Sequence, residues 1–327
     1  MGKDLNLQAI QLGVESTWGT AVAQTTIIDN VLAHPKLIPV NETEFYYFIG
    51  TVGAPKYKSL KHAFGRLTIE KLATHQDIIY WLNNLFGTVV PTGSDPYTRT
   101  YDAPQNGAAT RTPFTILYGD GTDDYSLTGA LLSKFTFTLE QKQPAKIKLE
   151  FIGKNTTTDS KDSLSSHDTT IIGAGDGGFE VGTVGGMLQQ MVCGVRKAEL
   201  IISAEPKLGS SIGVTTACEV LTPRTTGEFN LLIDGTNSNI KSAFEGTLGT
   251  APSVTSLEFN FGDIAGTNSV ARFRFAAGLN GAPEFYADDD GYAVFDSKWM
   301  LEEHASFGGS GTWLDAIVIN NESGLPA

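Results

Sequence analysis

The 327-residue chain is long enough for about two domains of ordinary size, each able to bury a core. Its 41% hydrophobic and 18% charged residues, with 36 glycines, suit a turn-rich globular protein and exclude disorder throughout. With 23 Lys and Arg against 36 Asp and Glu the formal charge is −13, which excludes a general affinity for nucleic-acid phosphates or anionic membranes.

The start, MGKDLNLQAIQLG, lacks the basic-then-apolar order of a signal peptide, and Asn6 stands where a myristoylation motif has Ser or Thr, so neither export nor lipidation is expected. The stretch from about Asn41 to Phe64 has no clear period and reads as irregular. It carries Lys56, Lys58, Lys61 and His62 in an otherwise acidic chain, as a solvated loop or as a basic arm that docks on an acidic patch of a neighbour. Ile78, Trp81, Leu82, Leu85 and Phe86 then form one apolar stripe at helical spacing, with Thr74 as a cap and Gly87 as the stop, and predict a helix over 75–86.

Period-2 alternation governs most of the rest. Phe114, Ile116 and Tyr118 mark one strand. In SKFTFTLEQKQPAKIKLEFIGK, Phe135, Phe137 and Leu139 share a face, as do Ile147, Leu149 and Phe151, while Lys134, Lys146, Lys148 and Glu150 take the other. Gln143 and Pro144 mark the turn of this hairpin, which has one wet face. Asn155 to Gly178 is rich in Ser, Thr, Asp and Gly and reads as a linker or long loop. A second helix is predicted at about 237–248, from Ile240, Ala243, Phe244, Thr247 and Leu248 up to Gly249. Alternating runs follow at Leu257, Phe259 and Phe261, at Phe273 and Phe275, and at Trp299 and Leu301. The longest apolar runs, such as Ala316–Ile319, are strand-sized, so a soluble protein is expected.

A shift of 162 residues lays GRLTIEKLATHQDIIYWLNNLFGT on GEFNLLIDGTNSNIKSAFEGTLGT without a gap. It matches Gly65 with Gly227, Thr74 with Thr236, Ile78 with Ile240, Gly87 with Gly249 and Thr88 with Thr250. FTILYGD is then answered by LEFNFGD, LSKFTFTLE by FDSKWMLEE, and IKLEFIGKN by DAIVINNES. Four elements recurring in one order predict a tandem duplication: a first domain over 1–160, a linker or long loop over 161–190, and a divergent second domain over 191–327. The fold class expected is mainly β.

The chain offers no site for chemistry. His34, His62, His75, His167 and His304 sit in no catalytic motif, and Ser310 in GGSGT lacks the spacing of a nucleophile elbow. GTVGG near Gly182 precedes no Lys where a phosphate loop needs one. Asp288, Asp289, Asp290 and Gly291 form the densest carboxylate run, without the spaced ligands of a calcium loop, and Glu302, Glu303 and His304 lack a second His. Arg272 and Arg274 beside Phe273 and Phe275 come closest to a nucleic-acid platform but read as the wet face of a sheet. Cys193 and Cys218 are too few for a disulfide scaffold and read as buried free thiols. No catalytic residue, cofactor or metal is expected, and the protein reads as a non-enzyme.

The opening GVESTWGTAVAQTTII, through Gly13, Glu15, Thr17, Trp18, Gly19, Thr20, Val22 and Ala23, resembles the N-terminal G-x-E-x-T-[WY]-G-T-x-V-A signature of the tail tube proteins, or major tail proteins, of long-tailed, non-contractile bacteriophages. The passage Gly65–Thr88, the LYGDG strand, the hairpin from Thr128, TPRTTGEFNLLI and the closing AIVINN are similar to the same family. The resemblance implies two tandem tail-tube-type β-sandwich or barrel domains, each with one flanking α-helix. It implies rings whose inner sheets join around a lumen, stacked through loops and terminal arms. Three duplicated chains would make a pseudo-hexameric ring; a hexamer is the alternative. The implied partners are a tape-measure protein, tail terminator and tail-tip proteins, with double-stranded DNA passing through unbound. The implied location is the virion tail, after synthesis in the host cytoplasm.

Independently of the resemblance, exposed sheet edges must pair with another chain or be blunted, and head-to-tail pairing closes rings. Trp18, Lys56, Lys58, Lys61 and His62 are the candidates for ring-to-ring contact, and Gly65, Gly87, Thr88, Gly227, Gly249 and Thr250 are the duplicated structural positions. The competing readings are a tail terminator or decoration protein of the virion, and a carbohydrate-binding β-sandwich that stacks sugars on Trp299, Trp313 or Tyr286.

Overall fold

The computed structural model describes residues 9–46, 57–103, 111–119, 123–164, 170–173, 177–183, 189–190, 195–209, 216–221, 225–234, 255–261, 270–280, 284–289, 292–302 and 313–320. The protein is mainly β. In chain order the elements are β1 (Ala9–Val14), β2 (Thr26–Ile28), β3 (Lys36–Tyr46), β4 (Tyr57–Leu72), α1 (Ile78–Phe86), β5 (Tyr97–Asp102), β6 (Phe114–Gly119), β7 (Asp124–Glu140), β8 (Lys146–Gly153) and β9 (Asn155–Asp159). They continue with β10 (Gly177–Thr183), β11 (Gln189–Gln190), β12 (Val195–Ser203), β13 (Lys207–Gly209), β14 (Glu219–Leu221), β15 (Thr226–Asp234), β16 (Thr255–Phe261), β17 (Val270–Leu279), β18 (Glu284–Asp289), β19 (Tyr292–Leu301) and β20 (Leu314–Asn320).

One antiparallel sheet runs the length of the molecule in the order β3-β4-β8-β7-β12-β15-β19-β18. Two shorter ladders branch from it: β2-β1-β6-β7-β9 and β11-β10-β16-β17-β20-β5. The branch points are single long strands. The first half of β7 pairs with β6 and β9, and its second half, from Leu131 on, pairs with β8 and then β12. Gly129, at φ 67°, lies where the strand changes partners, a backbone conformation that favours glycine. Likewise β17 pairs with β16 and β20 before its last residues, Ala277–Leu279, reach β19.

The two halves therefore repeat one pattern of pairing. The order β3-β4-β8-β7 is answered by β12-β15-β19-β17, and β2-β1-β6-β7-β9 by β11-β10-β16-β17-β20. Gly65 and Gly227 hold the same place in it: a Cβ on Gly65 would meet Leu127 and Thr156, and one on Gly227 would meet Leu301 and Trp313. The pairing keeps the sequence matches of β4 with β15 and of β6 with β16. It departs from the other two, since the partner of β7 is β17, not the 292–301 strand, and the partner of β8 is β19. The β13-β14 hairpin occupies the place in the second half that the outer part of the β3-β4 hairpin occupies in the first.

Alternation builds the core. Phe135, Phe137, Ile147, Leu149 and Phe151 are all buried, as the hairpin pattern predicts. They join one contiguous apolar cluster that crosses between the halves, with the rings of Phe137 and Phe273 5.6 Å apart. Each such buried side chain is worth about 1.5–3 kcal/mol relative to exposure, so the halves stabilise each other. The helix begins at Ile78 after a turn over 75–77, with the Asp77 N–H donating to Thr74 Oγ1 at 3.3 Å. Gly87, at φ 94°, ends it and donates its N–H to Asn83 O. Every residue from Ile78 to Leu85 is buried. The helix is thus enclosed rather than flanking, with Trp81 packed on Phe114 and Phe151 and Phe86 on Trp313 of the second half.

Strands run into both stretches expected to be irregular. Lys36–Tyr46 and Tyr57–Leu72 form one long hairpin; its outer part lies beyond β8, where no core-facing period is imposed. Asn155–Asp159 is an edge strand on β7, built from threonines, which suit a half-exposed pleat. Within 161–190, Ile172 hydrogen-bonds to Ala73 and Ala145 of the first half, while β10 and β11 belong to the ladders of the second. The predicted helix at 237–248, with Gly249 and Thr250, lies outside the described residues.

Candidate functional site

The resemblance-bearing segment 13–23 is a structural clasp. Glu15, 2% exposed, receives the Gly19 N–H on Oε2 and both Thr115 Oγ1 and the Gly129 N–H on Oε1, each at 2.7 Å. The Trp18 indole donates to Gly129 O at 2.9 Å, and Lys154 Nζ stands 5.5 Å from its ring centroid. Gly19, at φ 72°, and Gly13, whose Cβ would strike Ala23 O, allow the loop to close this tightly. The motif thus fastens the chain between β1 and β2 onto β6 and β7. Trp18 is half-buried against its own domain.

Burial raises the pKa of Glu15 above the ordinary glutamate value, against the opposing pull of its three hydrogen bonds and Lys154. A carboxyl raised in this way contributes stability that is full below its unfolded pKa and is lost as pH rises through the folded one. Glu15→Gln keeps the size but turns an amide N–H toward a donor. It is expected to cost about 1–2 kcal/mol, and its deficit in urea unfolding is expected to narrow as pH rises above the ordinary glutamate range.

The second feature is the open edge of the long sheet. Among the described residues β3 pairs only with β4. Leu37 is half-buried against the core, while Ile38 is 53% exposed. Farther out, Phe45 and Leu60 are also exposed, and Lys58 Nζ lies 5.7 Å from the Phe45 ring centroid. The arm touches the second half through a bridge from Ala63 to Thr216. Lys61 and His62 lie on β4 beside this arm, opposite Glu42 in the case of His62; Lys56 lies outside the described residues. Thr88 Oγ1 and Thr112 Oγ1 are 2.8 Å apart, tying the end of α1 to the strand entry of β6.

Other candidates resolve into structure. Arg274 pairs with Asp315 at 2.6 Å and Arg272 lies 3.9 Å from Glu258, so both guanidinium charges are met by carboxylates of the same ladder. Trp299 and Trp313 are 3% and 6% exposed, which removes them as sugar platforms. Cys218 is in no disulfide, as expected, but is exposed rather than buried, because it lies on the β13-β14 hairpin outside the core; Cys193 lies outside the described residues.

Sequence reasoning missed the β3 edge, whose signal was the apolar run Leu37-Ile38-Pro39-Val40, and the buried polar anchors Lys71, Asp77, Asn84 and Arg111. Among the described residues no helix is long and apolar enough to cross a membrane. No family model matches the chain, and no curated protein matches it.

Proposed function

We propose that the chain is a self-assembling structural subunit, the tail tube protein of a long-tailed, non-contractile bacteriophage. Copies form rings that stack into a tube, enclose a tape-measure protein and conduct DNA to the host. The observation that carries this reading is the β7-β12 pairing. It continues the sheet of one half into the next half, side by side, and leaves at its far end an apolar edge on β3. Repetition of that step between chains generates closed rings. Three chains with two similar halves each give a pseudo-hexameric trimer. A formal charge of −13 favours passage of DNA without adhesion.

Negative-stain microscopy of the purified protein tests the reading. Long hollow tubes support it; discrete rings alone favour a tail terminator or decoration protein, and monomers alone refute it. Native mass reads the ring as three chains or six. In this reading the β3-β4 arm, with Lys58 and Lys61, makes the ring-to-ring contact. Lys58→Glu with Lys61→Glu is expected to shorten tubes by about tenfold or more while leaving single rings intact.

A further inference from the structure

The chain contains its own template for the contact between chains. At the junction of the halves, β12 lies antiparallel on the second half of β7, with Thr136 opposite Ile201, Phe137 opposite Leu200, Thr138 opposite Glu199 and Glu140 opposite Lys197. Lys197 Nζ and Glu140 Oε1 close that joint as an ion pair at 3.5 Å. The pairing repeat identifies the counterparts of both strands at the two ends of the molecule.

The registers fix the correspondence. Gly65 faces Pro39 and Gly227 faces Ile202, so Ile38 answers to Ile201, Leu37 to Leu200 and Lys36 to Glu199. On the other side, Ile147 faces Phe137 and its counterpart Phe295 faces Phe285. By the same ladder Lys148 faces Thr136 and Asp296 faces Glu284, while Lys146 faces Thr138 and Val294 faces Ala287. Strand β18 therefore stands in the second half where the outer part of β7 stands in the first. Among the described residues it pairs only with β19, as β3 pairs only with β4.

We infer that β18 of one copy of this chain pairs antiparallel with β3 of the next, in the register of β7 on β12: Glu284 opposite Ile38, Phe285 opposite Leu37, and Ala287 opposite Lys36. This inference rests on the self-assembly proposed above and names its edges. Two observations support it besides the repeat. By the same correspondence the Glu140–Lys197 pair is answered by Asp289 and His34, with Lys36 the next residue on that face of β3, so acid on β18 again meets base on β3. The one residue of β3 without an N–H, Pro39, falls one place beyond Glu284, the first residue of β18, so this pairing asks no ladder hydrogen bond of it. A proline on a sheet edge otherwise blunts it.

The test joins the two edges covalently. With Cys193 and Cys218 replaced by Ser, Lys36→Cys and Ala287→Cys are combined in one chain, which is oxidised mildly and read on non-reducing gels and by native mass. Directly opposed residues of antiparallel strands lie within disulfide reach. The expected result is a reducible ladder that ends at the ring size, at least about tenfold stronger than that of the out-of-register pair Val40→Cys with Ala287→Cys. A second readout needs no thiol: Lys36→Glu and Asp289→Lys, diagonal neighbours on one face in this register, are each expected to weaken assembly about tenfold, and the double charge swap to restore it. Rings or tubes that form without the in-register cross-link and without charge-swap rescue overturn this edge pairing and leave self-assembly standing. Monomers under every condition overturn both.

Discussion

Arg111→Ala is expected to lower the stability of the folded chain by about 4 kcal/mol, read as a shift of the urea midpoint. Arg111 is 8% exposed, and the acceptors around its guanidinium are carbonyl oxygens. Nε donates to Asn84 O at 2.7 Å, Nη1 to Ala204 O at 2.9 Å, and Nη2 to Leu132 O and, at 3.4 Å, to Asn84 Oδ1. Burial pushes its pKa down to about 10, which leaves it charged at neutral pH. The backbone carbonyls come from the last turn of α1, from the middle of β7 and from the residue after β12, so one side chain caps the helix and ties the two halves together. Removal leaves three buried acceptors unmet at about 1–3 kcal/mol each. Arg111→Lys offers one compact ammonium in place of a fork and is expected to recover less than half of the loss. A midpoint for Arg111→Ala within about 1 kcal/mol of the parent would show that water or relaxed backbone takes over those acceptors.

The same residues mark where sequence reading stops. The hairpin around Phe135, Phe137, Ile147, Leu149 and Phe151 was legible because one face meets the core and the other meets water, so a period of two appears in the letters. The helix was legible in extent but not in setting. Asn83 and Asn84 look like a solvent face, yet both are buried, and Asn84 donates to Thr112 O and Ala130 O and accepts from the Leu132 N–H. A polar residue that satisfies buried backbone reads as exposed to any pattern based on hydropathy.

The repeat was legible as an order of elements and illegible as a pairing. β7 is one unbroken strand shared by two ladders, while its counterpart is divided between β17 and β18. Matching strands by outline therefore sets β7 against the next strand of similar shape. In the clasp, the letters Gly13, Glu15, Trp18 and Gly19 were visible from the start. Their physical reason needs Gly129 and Thr115, more than ninety positions away. The open edge was hidden for the opposite reason: LIPV is too short and too uniform to show which of its sides lacks a neighbour.

The buried pair Lys71 and Asp77 gives the other large effect. Lys71 Nζ and Asp77 Oδ2 form an ion pair, both side chains are fully buried, and the pair fixes the turn from β4 into α1. Lys71→Ala leaves a carboxylate uncompensated in the interior and is expected to cost about 3–5 kcal/mol. Part of that deficit is expected to vanish at acid pH, where the stranded carboxyl is protonated and sheds its charge. The second half shows how the position is filled without charge. There the counterpart of Lys71 is Ile233, buried and opposite Phe295 as Lys71 is opposite Ile147, and the residue aligned with Asp77 is Asn239. The double change Lys71→Ile with Asp77→Asn is therefore expected to return to within about 1 kcal/mol of the parent, since an apolar replacement of a buried ion pair is often neutral or better. Thermal or urea unfolding of the two single variants and the double variant measures the coupling. Losses that simply add would mean that the ion pair is incidental and that each side chain is held by its other neighbours.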